Sequence, residues 1–334
     1  MGNTVFFSAA TSTSGRELWK TDGTSGGTVL VKNISAISPL ASSDPTELVA
    51  MPATGSAARL FFVANGSGIG PTIAQNTGRE VWRSDGTDGG TAVLKDIVAG
   101  NLDSILNTVP SYLTVAGTKL YFVADDGTKG RELWVSTGAS GNATLVKDIN
   151  PSGASNPTEL RHVNGRVFFL ADDGTSGREL WVSNGTSAGT TRVKDIIAGT
   201  GSPNIQNMTA SGDILCFTAD DGVNGREVWI SDGTSAGTLM IADLLPGSAS
   251  SVPHDLAFGS GKLILSALDQ DVGDEPHFTV LDSNLIVEQP SGSPLTSGSS
   301  TVNYTPPPVN FGGKVDLIFR LRNDGINGVR NITT

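Results

Sequence analysis

GRELWVSNGTSAGT, residues 177–190, decides the fold because the chain says nearly the same thing four more times. GRELWKTDGTSGGT begins at Gly15, GREVWRSDGTDGGT at Gly78, GRELWVSTGASGNA at Gly130 and GREVWISDGTSAGT at Gly225. Each copy carries a glycine, an Arg-Glu pair, an apolar residue beside a tryptophan, and a glycine turn. The tryptophans, Trp19, Trp82, Trp134, Trp181 and Trp229, are spaced by 63, 52, 47 and 48 residues. Asn33, Asp96, Asp148, Asp195 and Asp243 each follow their tryptophan by 14 residues, so the hairpin is fixed and insertions fall in loops. A period of 40 to 50 residues points to propellers or solenoids.

Within one unit the pattern predicts four strands. In the fourth copy they are 166–171, 179–183, 191–196 and a last strand near 204–210, separated by Gly-, Asn- and Asp-rich turns. The Asn-Gly and Asp-Gly pairs are hairpin signals, because such turns need positive φ. Side chains alternate along a strand, so Leu180 and Trp181 point to opposite faces, as do Phe168 and Phe169. Both faces of each sheet are apolar and need cover. Sheets stacked face to face around an axis provide it, and the reading is an all-β propeller of about six four-stranded blades. Residues 262–289 form a sixth, worn copy, in which Gly273, Glu275 and His277 stand where Gly225, Glu227 and Trp229 stood. MGNTVFFSAA at the start aligns with VNGRVFFLAD at 163–172, so the first blade needs a strand from elsewhere. That strand lies either after Gln289 or before Met1. Three domains follow: a propeller at 1–289, a Pro/Ser/Gly linker at 290–308, and a truncated β segment at 309–334.

Composition narrows the function. The net charge is −11 and no Lys/Arg cluster occurs, which argues against nucleic-acid binding. No run approaches the ~18 apolar residues of a membrane helix. A single cysteine, Cys216, excludes an internal disulfide framework and stands where Tyr121 and Phe168 stand, so a buried apolar thiol is expected. No export signal follows Met1.

The pattern E-L-W, two residues, D-G-T, two residues, G-T, then V-K-D-I resembles the bacterial ELWxxDGT repeat family over residues 1 to 260. Departures are Val81 and Val228 for leucine, Thr137 and Ala139 in the third turn, and Ala242 for the lysine. The tail, VNFG at 309–312 followed by LIFRLRNDG, resembles the first strands of choice-of-anchor D and hydin-type immunoglobulin-like domains. Together the two resemblances imply a multidomain, extracellular or surface-attached bacterial protein.

Candidate chemistry is sparse. Neighbours on a strand face opposite ways, so Arg and Glu of the repeat cannot pair simply with each other, and each is expected to hold a turn or a neighbouring blade. Asp125-Asp126, Asp172-Asp173 and Asp220-Asp221 open DDG turns, each with a glutamate seven residues after the first aspartate: Glu132, Glu179 and Glu227. Clustered carboxylates with turn carbonyls suit calcium, although the usual calcium-loop ladder is absent and aspartate is common in turns. His162, His254 and His277 have no metal spacing, and no G-x-S-x-G elbow occurs. The residues favour a noncatalytic adhesion, binding or spacer module that meets a surface glycan or protein through the variable loops 35–58, 65–77 and 102–110. The alternative is a glycosidase or lyase with acidic residues converging on the axis.

Overall fold

A computed structural model of the chain describes residues 1–35, 38, 40–52, 58–66, 77–100, 102–259, 262–269 and 273–280. Among these residues there are 22 strands and no helix. The first sheet holds β1 (Val5–Ala10), β2 (Arg16–Thr21) and β3 (Val29–Lys32). The second holds β4 (Thr46–Met51), β5 (Arg59–Asn65), β6 (Arg79–Ser84) and β7 (Ala92–Val93). The third holds β8 (Thr114–Ala116), β9 (Lys119–Asp125), β10 (Arg131–Ser136) and β11 (Ala143–Leu145). The fourth holds β12 (Thr158–Val163), β13 (Arg166–Asp172), β14 (Arg178–Ser183) and β15 (Thr190–Arg192). The fifth holds β16 (Gln206–Ser211), β17 (Ile214–Asp220), β18 (Arg226–Ser231) and β19 (Leu239–Ala242). The sixth holds β20 (His254–Gly259), β21 (Lys262–Asp269) and β22 (Gly273–Val280).

Every sheet is an antiparallel meander in chain order, and the leading strands β4, β8, β12, β16 and β20 lie side by side. This is a β-propeller, with leading strands at the axis. One expectation is corrected. Residues 204–210 do not close the fourth unit, because β16 pairs with β17 and opens the fifth sheet. A tight Gly212-Asp213 turn joins β16 to β17, whereas a long connector separates it from β15. The predicted linker at 290–308 and the segment at 309–334 lie outside the described residues.

Because the strands alternate in direction, the two propeller faces differ in content. Connectors between sheets and the DDG turns share one face, called here the connector face. The turns between first and second strands and the D-G-T hairpins share the other.

Five apolar clusters fill the five described junctions, each taking alternate residues from adjoining sheets. Leu180 and Phe168 pack toward the fifth sheet, while Trp181 and Phe169 pack toward the third. Polar side chains then stitch the junctions. Lys95, Lys147 and Lys194 reach across to the carbonyls of Ala143, Thr190 and Thr238 at 2.7, 2.9 and 2.9 Å. Each ammonium also caps the tryptophan of that next sheet, Trp134, Trp181 or Trp229, at 5.5 to 5.9 Å from the ring centroid. The D-G-T glycines face the previous sheet's aromatics. A Cβ on Gly138, whose φ is +81°, would sit 2.7 Å from Phe61 Cζ. Glycine is needed there twice over, for conformation and for closeness.

Candidate functional site

The repeated charged groups turn out to hold the scaffold. Glu17, Glu80, Glu132, Glu179 and Glu227 are all fully buried. Glu132 accepts from the Ile149 N–H at 3.3 Å, the Ser155 N–H at 2.8 Å and the Ser155 hydroxyl at 2.6 Å. Glu17 with Ser43, Glu80 with Ser104, and Glu227 with Ser251 repeat this anchor on the connector to the next sheet. In the fourth sheet Pro203 takes the serine's place: its carbonyl accepts from Asp220 as that of Ser155 does from Asp172. Proline offers neither N–H nor hydroxyl, and Glu179 Oε1 is left buried without a partner. The arginines hold their own sheet's leading strand. Arg178 donates to Asn156 O at 2.8 Å and to Thr158 Oγ1, and Arg226 donates to Asn204 O at 2.7 Å. Arg and Glu therefore serve backbone and connector, as the alternation of side chains required.

The structure does not bring the nine calcium candidates together. Asp125 Oδ1 accepts from Gly127 N–H, and Asp126 Oδ1 from the Thr128 N–H and hydroxyl and from Lys129 N–H, all within the turn. Asp172, Asp173, Asp220 and Asp221 close their turns in the same way. Burial works against the Asp126 anion, but the Lys129 and Thr128 bonds outweigh it and hold the carboxyl below its ordinary value. Glu132, Glu179 and Glu227 point elsewhere. Burial pushes Glu132 up to about 7 and Glu179 up to about 8, and the carboxylates that add to these shifts are Asp148 and Asp195 of the V-K-D-I segment. Burial also raises Glu227, with Asp243 adding. Among the described residues no group of three or more His, Cys, Asp or Glu side chains is arranged to hold a metal.

Of the single residues, Cys216 is fully buried at the fifth–sixth junction, where burial pushes its thiol up to about 12. His162 and His254 lie on leading strands β12 and β20. His162 Nε2 accepts from Gly165 N–H at 2.9 Å, and His254 Nε2 stands 3.5 Å from Asp274 Oδ2. His277 occupies the tryptophan position, opposite Leu265.

One position was missed by sequence reasoning. Near the start of each described leading strand a non-glycine residue adopts positive φ: Glu47 at 53°, Tyr112 at 53°, Glu159 at 56°, Asn207 at 54° and Asp255 at 52°. Positive φ is costly outside glycine, and its recurrence at a bulge marks a built feature. The backbone conformation repeats while the side chain does not. These residues stand at the connector-face end of the axial strands, and two of them link neighbours around the axis. Glu47 accepts from Ser111 N–H and hydroxyl at 2.9 and 2.8 Å, and Asn207 Nδ2 donates to Pro253 O at 3.0 Å. Arg161 reaches Met208 O at 3.1 Å and Glu159 Oε2 at 2.7 Å. Burial raises the Tyr112 phenol, Glu159 and Glu47 push it further, and Arg131 and Arg178 oppose them. Several charged groups from different sheets thus act on one phenol. The legible signal was spacing: the variable residue lies four after the connector serine in Ser43–Glu47, Ser155–Glu159 and Ser251–Asp255. Loop 102–110 also opens on this face. Only parts of loops 35–58 and 65–77 fall within the described residues.

No family model matches this chain, and no curated protein matches it. Solved structures are similar to it at low identity. Puromycin hydrolase is 12% identical with a TM-score of 0.43, over 86% of this chain and 49% of its own. A putative TolB from Agrobacterium tumefaciens is 12% identical with a TM-score of 0.35, over 74% of this chain and 79% of its own. An ancestral GH74 enzyme is 12% identical with a TM-score of 0.39, over 83% of this chain and 40% of its own. This chain spans about half the length of puromycin hydrolase.

Proposed function

We propose that the chain is a noncatalytic binding module of an exported or surface-attached bacterial protein of the ELWxxDGT type. Its ligand, a surface glycan or protein, meets the connector face around the axis through Glu47, Tyr112, Glu159, Asn207 and Asp255. One observation carries the reading: the repeated Glu, Arg and Lys side chains and the DDG aspartates are committed to scaffold bonds, whereas positive-φ positions near the start of the leading strands keep their backbone and vary their chemistry. Loops and strand ends on a rigid scaffold are where recognition resides. The committed carboxylates of Glu47 and Glu159 suit holding better than acid–base work, since each already accepts hydrogen bonds.

A glycan array probed in calcium and again in EDTA tests this, with Tyr112→Ala as the comparison. Binding lost in Tyr112→Ala supports the axial site, and loss in EDTA adds calcium to it. Binding that Tyr112→Ala leaves intact moves the site away from the axis. Release of reducing sugar from any arrayed oligosaccharide overturns the noncatalytic reading and favours a carbohydrate-active enzyme.

A further inference from the structure

Strands β5, β9, β13, β17 and β21 each pair with a leading strand on their inner edge, whereas β1 pairs with β2 alone among the described residues. Three donors on that edge stand open. In the other five sheets one residue of this strand sends its N–H to the connector: Asn65 to Ser43 O, Asp125 to Ser104 O, Asp172 to Ser155 O, Asp220 to Pro203 O and Leu268 to Ser251 O, at 2.8 to 3.0 Å. Ala10 holds that place in the first sheet, opposite Arg16 as Asp172 is opposite Arg178, and no connector reaches it among the described residues. Arg79, Arg178 and Arg226 donate to the carbonyls of Asp44, Asn156 and Asn204. The Arg16 side chain, 51% exposed, instead lies 3.5 Å from Ser8 O and 3.9 Å from Asp44 Oδ1. Ser8 Oγ is buried without a partner, whereas its counterpart Thr218 Oγ1 donates to Gln206 O at 3.4 Å.

These donors specify their acceptors. Counted from the connector serine, or from Pro203 in its place, the acceptors in the other sheets are the first carbonyl for the Ala10 position, the second for Arg16 and the fourth for Ser8. Carbonyls so spaced along one segment are extended polypeptide backbone, and an unpaired strand edge is a template for it. Side chains narrow the segment further. Its sixth residue corresponds to Leu48, Leu160, Met208 and Leu256, which follow the positive-φ residue and pack toward the preceding sheet. The first sheet turns Val5, 62% exposed, and Phe7 that way. Its fifth residue corresponds to Glu47 and Asn207, which reach the following sheet at Ser111 and Pro253. For the first sheet that neighbour is the second, where Asp44 and Glu47 are acidic and Asp44 is 59% exposed, so lysine or arginine complements them. Every described leading strand already serves its own sheet, so a second copy folded alike has none of these to give.

We propose that the inner edge of β1 is a strand-acceptor site for a partner protein, which adds an extended segment antiparallel to β1 with lysine or arginine fifth and leucine or methionine sixth. The first, second and fourth carbonyls of that segment take the Ala10 N–H, the Arg16 guanidinium and the Ser8 hydroxyl. The site stands on the geometry of the first sheet and does not rest on the glycan or loop reading above.

The probe is a fluorescein-labelled nonapeptide with the sequence of residues 155–163, SNPTELRHV, carrying Glu159→Lys, titrated into the full chain and read by anisotropy. Saturable binding is expected, with exchange of the outward Ser8 and Ala10 amides slowed. Leu160→Ser in the peptide should abolish binding. Ala10→Pro, which removes an outward N–H and no ladder bond, and Arg16→Ala should each weaken it about tenfold. Arg16→Ala alters an exposed side chain and keeps the test open should Ala10→Pro disturb the strand. The peptide that keeps Glu159 should bind more weakly at low salt, with the gap closing as salt rises. Absence of binding, binding that leaves those two amides unchanged, or binding indifferent to Leu160→Ser overturns the site. Ser8 and Ala10 amides that exchange slowly without any peptide overturn the partner, since the chain then fills its own edge. Failure here leaves the glycan-array result standing, and the reverse also holds.

Discussion

The third–fourth and fifth–sixth junctions are built from the same repeat, yet they are held differently. At the first of these, Lys147 caps Trp181 and bonds Thr190 O, Lys119 bonds Asn184 O at 2.6 Å, and Tyr121 packs under Gly185. At the second, Ala242 stands for the lysine, His277 for the tryptophan and Cys216 for the tyrosine. His277 Nε2 is buried there without a partner. Lysine and tryptophan are lost together, on opposite sides of one junction, because they are two halves of one contact. A lysine without the ring and the carbonyl has nothing to cover, and a tryptophan without the lysine loses its lid. Wear in a repeat array proceeds by interface rather than by residue.

Substitutions can break this contrast or sharpen it. The largest effect is expected from Glu132→Ala, which strands the Ile149 N–H and the Ser155 N–H and hydroxyl in the interior. Three such groups at ~1–3 kcal/mol each imply a loss of roughly 3 kcal/mol or more, read from denaturant unfolding. Gly138→Ala comes next: left-handed strain of about 1–2 kcal/mol adds to overpacking against Phe61 of about 1–3 kcal/mol. An Ala residue tolerated there at no cost to the melting temperature would refute the close approach. Lys147→Ala should cost about 1–3 kcal/mol through a lost charged hydrogen bond and a lost cation–π contact. Ala242→Lys and His277→Trp should each do little alone and stabilise together by about 1 kcal/mol in a double-mutant cycle. Strict additivity would show that the two positions do not communicate.

The smallest effect concerns pH. Burial raises Glu179 to about 8 from an ordinary 4.5, so the folded state binds its proton more tightly than the unfolded state does. Its contribution is fully present below pH 4.5 and is lost as pH rises toward 8. Pro203→Ser supplies the missing donors, lowers that value and flattens the dependence. Unfolding midpoints at pH 5 and pH 8.5 should draw closer in Pro203→Ser than in the parent, and an unchanged gap would assign the slope to other carboxylates.

Much of this was written in the repeat. Alternating apolar faces, hairpin turns and constant Trp-to-Asp spacing specify the sheets, since each depends on neighbours within about 15 residues. The phase of the repeat was legible too, in Asn164-Gly165 between β12 and β13, but the long connector after β15 disguised which side of it a unit begins. The candidate site was less legible. The four-residue spacing from a connector serine marks Glu159 but not Tyr112, and the feature the two share is a positive-φ backbone that no residue type announces.

The sequence by itself determined the strands, the hairpins on either side of each tryptophan strand and the side chains that face a neighbouring sheet. Local sterics and side-chain alternation are enough for that. Only the tertiary structure decided that the DDG aspartates and the buried glutamates serve different loops, that each lysine belongs to the next sheet's tryptophan, and that the varying residues gather around one axis. The lysine–tryptophan contacts join residues about 35 to 40 positions apart and the axial links residues about 45 to 65 apart, and both exist only once the sheets are stacked.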